Sequence, residues 1–163
     1  MELTRLHDKL RAKVQCYFIE QWGSPEIVIS SGIYDCSVLD GFAALDEEAR
    51  IVGLITFDRK EQELEIISLD SLSEGRGIGG MLLEQVERLA RIEKKNAISL
   101  IMTNDNLNAL KFYQKRGYRL AKVLPDAVAE ARKIKPAIPH IGEHGIPLQD
   151  ELQLVKKLYR EGE

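Results

Sequence analysis

Apolar residues recur at two different periods along this chain, and the change from one to the other divides it. Leu6, Leu10, Val14 and Phe18 stand four apart, which predicts a single apolar stripe on a helix from Leu3 to Trp22. Gly23-Ser24-Pro25 ends it. Glu26 to Ser30 is a short apolar run suited to a strand, broken by Ser31-Gly32. Gly41 to Leu45 and Arg50 to Asp58 predict two strands joined by the acidic turn Asp46-Glu47-Glu48. The second is rich in β-branched residues, which pack well on a pleated surface. A turn at Arg59-Lys60-Glu61 leads to a further strand over Glu63 to Leu69. Short turns between successive strands imply antiparallel neighbours.

The period then lengthens. Ile78, Met81, Leu82, Val86, Leu89 and Ile92 recur at helical spacing, with Glu87, Arg88, Glu93 and Lys94 on other faces. A buried strand is expected over Ala97 to Met102. A shorter helix follows from Asn106 to Lys115, stopped at Gly117, and then a strand over Tyr118 to Val123. Pro125 to Ile134 suits a helix. Lys135 to Leu148 contains Pro136, Pro139, Gly142, Gly145 and Pro147, which preclude regular structure, and Leu152 to Leu158 predicts a closing strand. Strands in series followed by alternating strands and helices predict an α+β, or mixed α/β, fold with one large sheet.

At 163 residues the chain suits a single domain over 1–163, and 44% hydrophobic with 30% charged residues argues against disorder. No apolar run approaches the length of a membrane span, and Met1 to Leu10 lacks the pattern of a secretory leader. Cys16 and Cys36 are too few for a disulfide scaffold, so a cytoplasmic, reduced protein is expected. The net charge of -3 conceals an imbalance. Residues 1–74 hold 7 Lys/Arg against 15 Asp/Glu, and residues 75–163 hold 16 against 11. Nucleic acid calls for a strongly basic face and is not indicated. An anionic ligand is better sought in the second half and a cationic one in the first.

The most informative stretch is Ser73-Glu74-Gly75-Arg76-Gly77-Ile78-Gly79-Gly80, after a strand and before an amphipathic helix. Four glycines in six residues exceed what a strand-to-helix turn needs. They let the backbone bend sharply and bring several N–H groups close to a ligand. The helix start adds unpaired donors and the positive end of its dipole, which together make a phosphate cradle. Gly75, Gly77 and Gly80 also fit G-x-G-x-x-G, the dinucleotide fingerprint. That motif normally opens a parallel sheet and has an acid at the end of the next strand. Here it follows several antiparallel strands, and the next strand ends in Thr103-Asn104.

A second element, Asn106-Leu107-Asn108-Ala109-Leu110-Lys111-Phe112-Tyr113-Gln114-Lys115-Arg116-Gly117-Tyr118, decides between these readings. With it, the chain resembles the GNAT superfamily of N-acetyltransferases. Two hallmarks define that resemblance: a Q/R-x-x-G-x-G/A turn, then, past one strand, an N-x-x-A-x-x-x-Y helix followed by Gly and an aromatic. Asn106, Ala109, Tyr113, Gly117 and Tyr118 match the second at every position, and Gly77 and Gly79 match the first. Glu74 stands at the Gln/Arg position and departs from it, replacing a donor with an acid.

The resemblance implies a largely antiparallel sheet of six to seven strands with flanking helices and a coenzyme A cleft. It implies transfer of an acetyl group from acetyl-CoA directly to a primary amine through a ternary complex, with no metal. It places Glu74, Gly75, Arg76, Gly77, Ile78, Gly79 and Gly80 at the pyrophosphate, and Asn106, Ala109 and Tyr113 along the same co-substrate. A backbone N–H near Leu69, flanked by Ile67 and Asp70, would steady the thioester oxygen as it gains charge. Tyr113 would protonate the leaving thiolate; an ordinary tyrosine is neutral at pH 7 and so starts as a donor. An amine must first lose a proton, to a nearby carboxylate or through water, and Glu63 and Glu65 are the candidate carboxylates. They are expected on one face of their strand with Ile67 and Leu69, with Leu64 and Ile66 on the other. Dimers are common in the family, which adds a second copy of this chain as an expected partner.

Two alternatives stand beside this reading: a non-catalytic acyl-CoA-binding module of the same fold, and a nicotinamide-dinucleotide enzyme. His140-Ile141-Gly142-Glu143-His144 also satisfies H-x-x-E-H, but zinc ligation there needs a helix, which the surrounding prolines and glycines oppose. Residues 124–149 fall between the last two expected strands and are read as an insertion forming a lid or wall beside the acceptor.

Overall fold

The computed structural model describes residues 1–72 and 75–159. Along the chain run β1 (Glu2–Arg5), α1 (Arg11–Trp22), β2 (Glu26–Ile29), β3 (Gly32–Asp35), β4 (Asp40–Leu45), β5 (Ile51–Arg59), β6 (Glu63–Ser71), α2 (Ile78–Ile92), β7 (Ala97–Thr103), α3 (Leu107–Gln114), β8 (Arg119–Leu124), α4 (Ala127–Ile134) and β9 (Glu151–Lys157). The architecture is mixed α/β. Sheet order is β1-β4-β5-β6 in one part and β7-β9-β8 in the other, with β2 and β3 forming a separate pair. Tertiary contacts divide the chain into two compact units: Met1–Ile27 with Tyr34–Ile98, and Val28–Ile33 with the chain from Ser99 onward.

In the first unit β1–β4, β4–β5 and β5–β6 pair antiparallel, the last two as their short turns require: Glu2 opposes Leu45, Gly41 opposes Thr56, and Leu54 opposes Asp70. One face of this sheet carries α2. A Cβ on Gly53 would lie 2.5 Å from the Ile78 side chain and 3.1 Å from Leu82, so glycine is what lets the helix seat so closely. Ile78, Leu82, Leu83, Val86, Leu89 and Ala90 are buried along that helix; of the predicted stripe, Met81 is only half-buried and Ile92, in the last turn, is 71% exposed. From α1, Val14 and Phe18 are buried, and the Tyr17 hydroxyl and the Trp22 Nε1–H each donate to Asp70 Oδ2 at 3.0 Å. Arg59 links three elements by donating to Glu93 (2.7 and 2.8 Å) and Asp40 (3.2 Å), and Arg5 reaches Asp40 at 2.7 Å.

The amino-terminal expectation needs correction. The helix begins at Arg11, and Glu2–Arg5 is a strand paired with β4. Leu6 and Leu10 are buried all the same, so the four-residue spacing marked burial correctly but not conformation. β3 was also not expected; its alternation is too short to stand out.

In the second unit β8 pairs antiparallel with β9, Arg119 opposite Val155 and Leu124 opposite Glu151. The helix expected over Pro125 to Ile134 forms as α4. The irregular segment after it is fastened by side chains. Arg132 donates to the carbonyls of Ile138 (3.1 Å), Pro139 and Leu148 (2.9 Å each). The Asn104 amide donates to Pro147 O and its Oδ1 accepts from Gln149 N and Asp150 N. Buried Asp105 accepts from Thr103 Oγ1 and Glu143 N. His140 to His144 holds only the start of a single 3-10 turn, with His144 at φ 58°, so the two histidines do not share a helix face.

Candidate active site

Of the glycine turn, Gly75 to Gly80 are described; Ser73 and Glu74 lie outside the described residues, so the Glu74 expectation is not placed. Gly75 and Gly77 take φ of 80° and 72°, the left-handed region that L side chains avoid. A Cβ at either would meet nothing within 4 Å, so these glycines keep backbone open to the outside rather than making room for packing. Gly77 is the N-cap of α2 and offers no side chain to the first N–H groups; the first turn carries no acid. Such a terminus holds unpaired donors and a positive dipole end. Arg76 is exposed beside it, and Ile78 points inward at 2% exposure.

β6 approaches this turn with a bulge. Ile66 opposes Phe57 and Ser68 opposes Thr56, so Ile67 is an extra residue with no counterpart on β5. The bulge inverts the alternation beyond it. Glu65 lies opposite Asp58, on the face of Thr56 and Ser68, whose hydroxyls bond at 2.5 Å, and of Asp70. Leu69 lies opposite Ile55, on the other face with Leu64 and Ile66. The expectation that Leu69 shares a face with Glu63 and Glu65 is therefore wrong, because period-two counting cannot register an inserted residue.

Glu65 is 2% exposed. Its Oε1 accepts from Lys60 Nζ at 2.6 Å and lies 3.5 Å from the Tyr34 hydroxyl. Burial works against the Lys60 charge, but the hydrogen bond and attraction of Glu65, with smaller contributions from Tyr34 and Glu63, leave the lysine above its ordinary pKa. Glu63, two residues earlier, is only half-buried. Neither Lys60 nor Tyr34 stood out in the sequence: one sits in a turn, the other in a strand too short to recognise.

In the second unit the Asn106 Oδ1 accepts from Ala109 N at 3.1 Å and caps α3. Asn is a preferred residue for that position. Two turns on, Tyr113 is buried between the rings of Phe112 (5.0 Å) and Tyr118 (5.3 Å), both edge-on. Arg116 lies over the Phe112 ring at 3.8 Å. Burial pushes the Tyr113 phenol well above the ordinary tyrosine range, and the Arg116 charge offsets only part of this. The phenol is therefore in its proton-donating form at neutral pH.

Among the described residues no helix is long and apolar enough to cross a membrane. Residues 8–118 match the model of the acetyltransferase (GNAT) family. The chain is 53% identical over 145 residues to the "Uncharacterized protein YxbD" of Bacillus subtilis (strain 168), covering 89% of this chain and 91% of that one. Its fold resembles a GNAT family acetyltransferase from Elizabethkingia anophelis solved with acetyl-CoA bound (TM-score 0.68, 18% identity, 96% and 97% of the two chains). It also resembles the aminoglycoside 6'-N-acetyltransferase from Enterococcus faecium (TM-score 0.71, 15% identity, the full length of both). By its family match over most of its length, and by the glycine turn and Asn106–Tyr113 helix that carry the family's pattern, the chain belongs to the acetyltransferase (GNAT) family.

Proposed function

We propose that the whole chain acts as one acetyl-CoA-dependent N-acetyltransferase, moving the acetyl group directly to a primary amine within a ternary complex. The observation that carries this reading is the open, uncapped start of α2, whose left-handed glycines leave backbone donors facing outward. It fits a diphosphate because the donors belong to the backbone and are fixed before the ligand arrives. The acetyl-CoA-bound Elizabethkingia anophelis structure is consistent with it.

In this reading Gly75 to Gly80 hold the pyrophosphate, and backbone N–H groups near the Ile67 bulge and Leu69 steady the thioester oxygen. Asn106 and Ala109 set the start of α3, which presents Tyr113. Glu65 takes one proton from the acceptor's ammonium, directly or through water, so that the nitrogen lone pair can attack the acetyl carbon. The carbon–sulfur bond breaks as the carbon–nitrogen bond forms. Tyr113 gives its phenolic proton to the departing sulfur and regains one from the nitrogen of the new amide, so one proton is released overall. Residues 124–149 act as a fixed segment rather than a moving lid in this reading, given the bonds that fasten them.

The test is thiol release from acetyl-CoA with a panel of primary amines, from n-butylamine to a lysine peptide. Tyr113→Phe is expected to lower turnover about a hundredfold or more while leaving acetyl-CoA affinity within about threefold. Unchanged turnover would remove Tyr113 from its role. A chain that binds acetyl-CoA but turns over none of the amines would be a binding module.

A further inference from the structure

We propose that Lys60 is a positioning residue that aims and holds the Glu65 carboxylate for proton transfer. This rests on the reading of Glu65 as the base.

The pair is lopsided. The Lys60 side chain is 37% exposed in the β5–β6 turn, while its partner is 2% exposed on β6. Pairs exposed on both sides contribute little to stability. A cation set against a buried carboxylate is different, because its removal takes charge compensation away from a poorly solvated place. The neighbouring groups sharpen that need. Asp58 stands directly across the ladder from Glu65, and Glu63 shares its face two residues away. Both are acids. Tyr34 supplies a hydroxyl from β3. Against two carboxylates and a phenol, Lys60 brings a compensating charge, and its raised pKa keeps it protonated.

Orientation follows from the same contacts. Lys60 and Tyr34 converge on one oxygen, Oε1, which fixes the rotation of the carboxyl group about its last bond. The Ile67 bulge follows two residues later and fixes the backbone that carries Glu65. A proton acceptor gains rate from being held in one geometry, since misplacement by an ångström is costly. Lys60 meets that requirement by acting on Glu65 rather than on the acceptor.

The experiment compares Lys60→Met, Lys60→Arg and Glu65→Gln in the full chain, with n-butylamine as acceptor at saturating acetyl-CoA. Lys60→Met is expected to lower kcat about tenfold or more, with the amine KM and the acetyl-CoA Kd each within about threefold. Lys60→Arg restores kcat to within about threefold of the natural chain, because a guanidinium also supplies charge and donors. A second readout needs no turnover: NMR of labelled lysine Cε in Glu65→Gln shows Lys60 titrating at lower pH than in the natural chain. A Lys60→Met variant with full kcat overturns the proposal. So does a lowered amine KM, which would make Lys60 a competitor for the acceptor's place, or a loss that Lys60→Arg fails to restore alongside a fallen Tm. If Glu65→Gln is fully active while Tyr113→Phe is not, the base assignment fails and acetyl transfer stands. If Glu65→Gln is inactive while Lys60→Met is not, only the present proposal fails.

Discussion

Two helices of this chain begin in opposite ways. α3 starts under Asn106, whose side chain returns to the Ala109 N–H and settles one of the first turn's donors within the protein. α2 starts under Gly77, which has no side chain and sits in the left-handed region with nothing within 4 Å of where a Cβ would be. Every helix leaves its first N–H groups without an intrahelical acceptor. The N-caps of α1 and α4 also make no side-chain hydrogen bond, so what sets α2 apart is a glycine cap in the left-handed region with open space around it. The same comparison separates what Asn106 and Gly77 should do when changed.

The sharpest way to break it is at Gly77. Gly77→Val places a β-branched side chain where φ is 72°, and should raise the acetyl-CoA Kd about ten- to a hundredfold, the worth of one charge-assisted hydrogen bond of about 1.5–3 kcal/mol. Isothermal titration measures it. Asn106→Ala should act on the other account, costing about 1 kcal/mol and lowering Tm by roughly 2–4 °C, with the acetyl-CoA Kd nearly unmoved. If Asn106→Ala weakened the co-substrate more than Gly77→Val did, the contrast between the two termini would be lost.

The smallest effect is in the pH dependence of stability. The folded state raises the pKa of Tyr113 by burial, so it holds that proton more tightly than the unfolded chain does. This contribution is complete below the unfolded value of about 10 and is lost as pH climbs past it. Asp40 and Glu93 are shifted the other way. For Asp40, burial opposes the charge, but Arg5, the Gly41 N–H and Arg59 outweigh it; for Glu93, the Arg59 hydrogen bond dominates. Their contribution holds above about pH 4 and fades on acidification. Urea midpoints should therefore be flat across neutrality and fall on both sides, with Tyr113→Phe softening only the alkaline fall.

Much of this was legible in the residues themselves. The body of the α2 stripe, the Asn106 to Tyr113 spacing and the left-handed Gly75 and Gly77 follow from local rules, although Ile92 at the end of the stripe is exposed. What escaped were features that depend on a partner strand. Glu2–Arg5 is a strand because β4 offers it a ladder, while its own residues read equally well as a helix start. Leu69 changed faces because Ile67 is extra relative to β5, a mismatch that exists only between two strands. Lys60 looked like an ordinary turn lysine until the fold brought it to Glu65. One-dimensional periodicity reports which residues are buried more faithfully than it reports what they touch.

The hydrogen bond from Trp22 to Asp70 has an optical consequence. Trp22 is the sole tryptophan of the chain, is 44% exposed, and donates to the residue that nearly ends β6. Its indole emission shifts with solvation, so loosening of α1 from β6 would appear as a red shift without any added label. The same signal offers a stopped-flow record of whether co-substrate or amine disturbs that strand end, read from the natural chain.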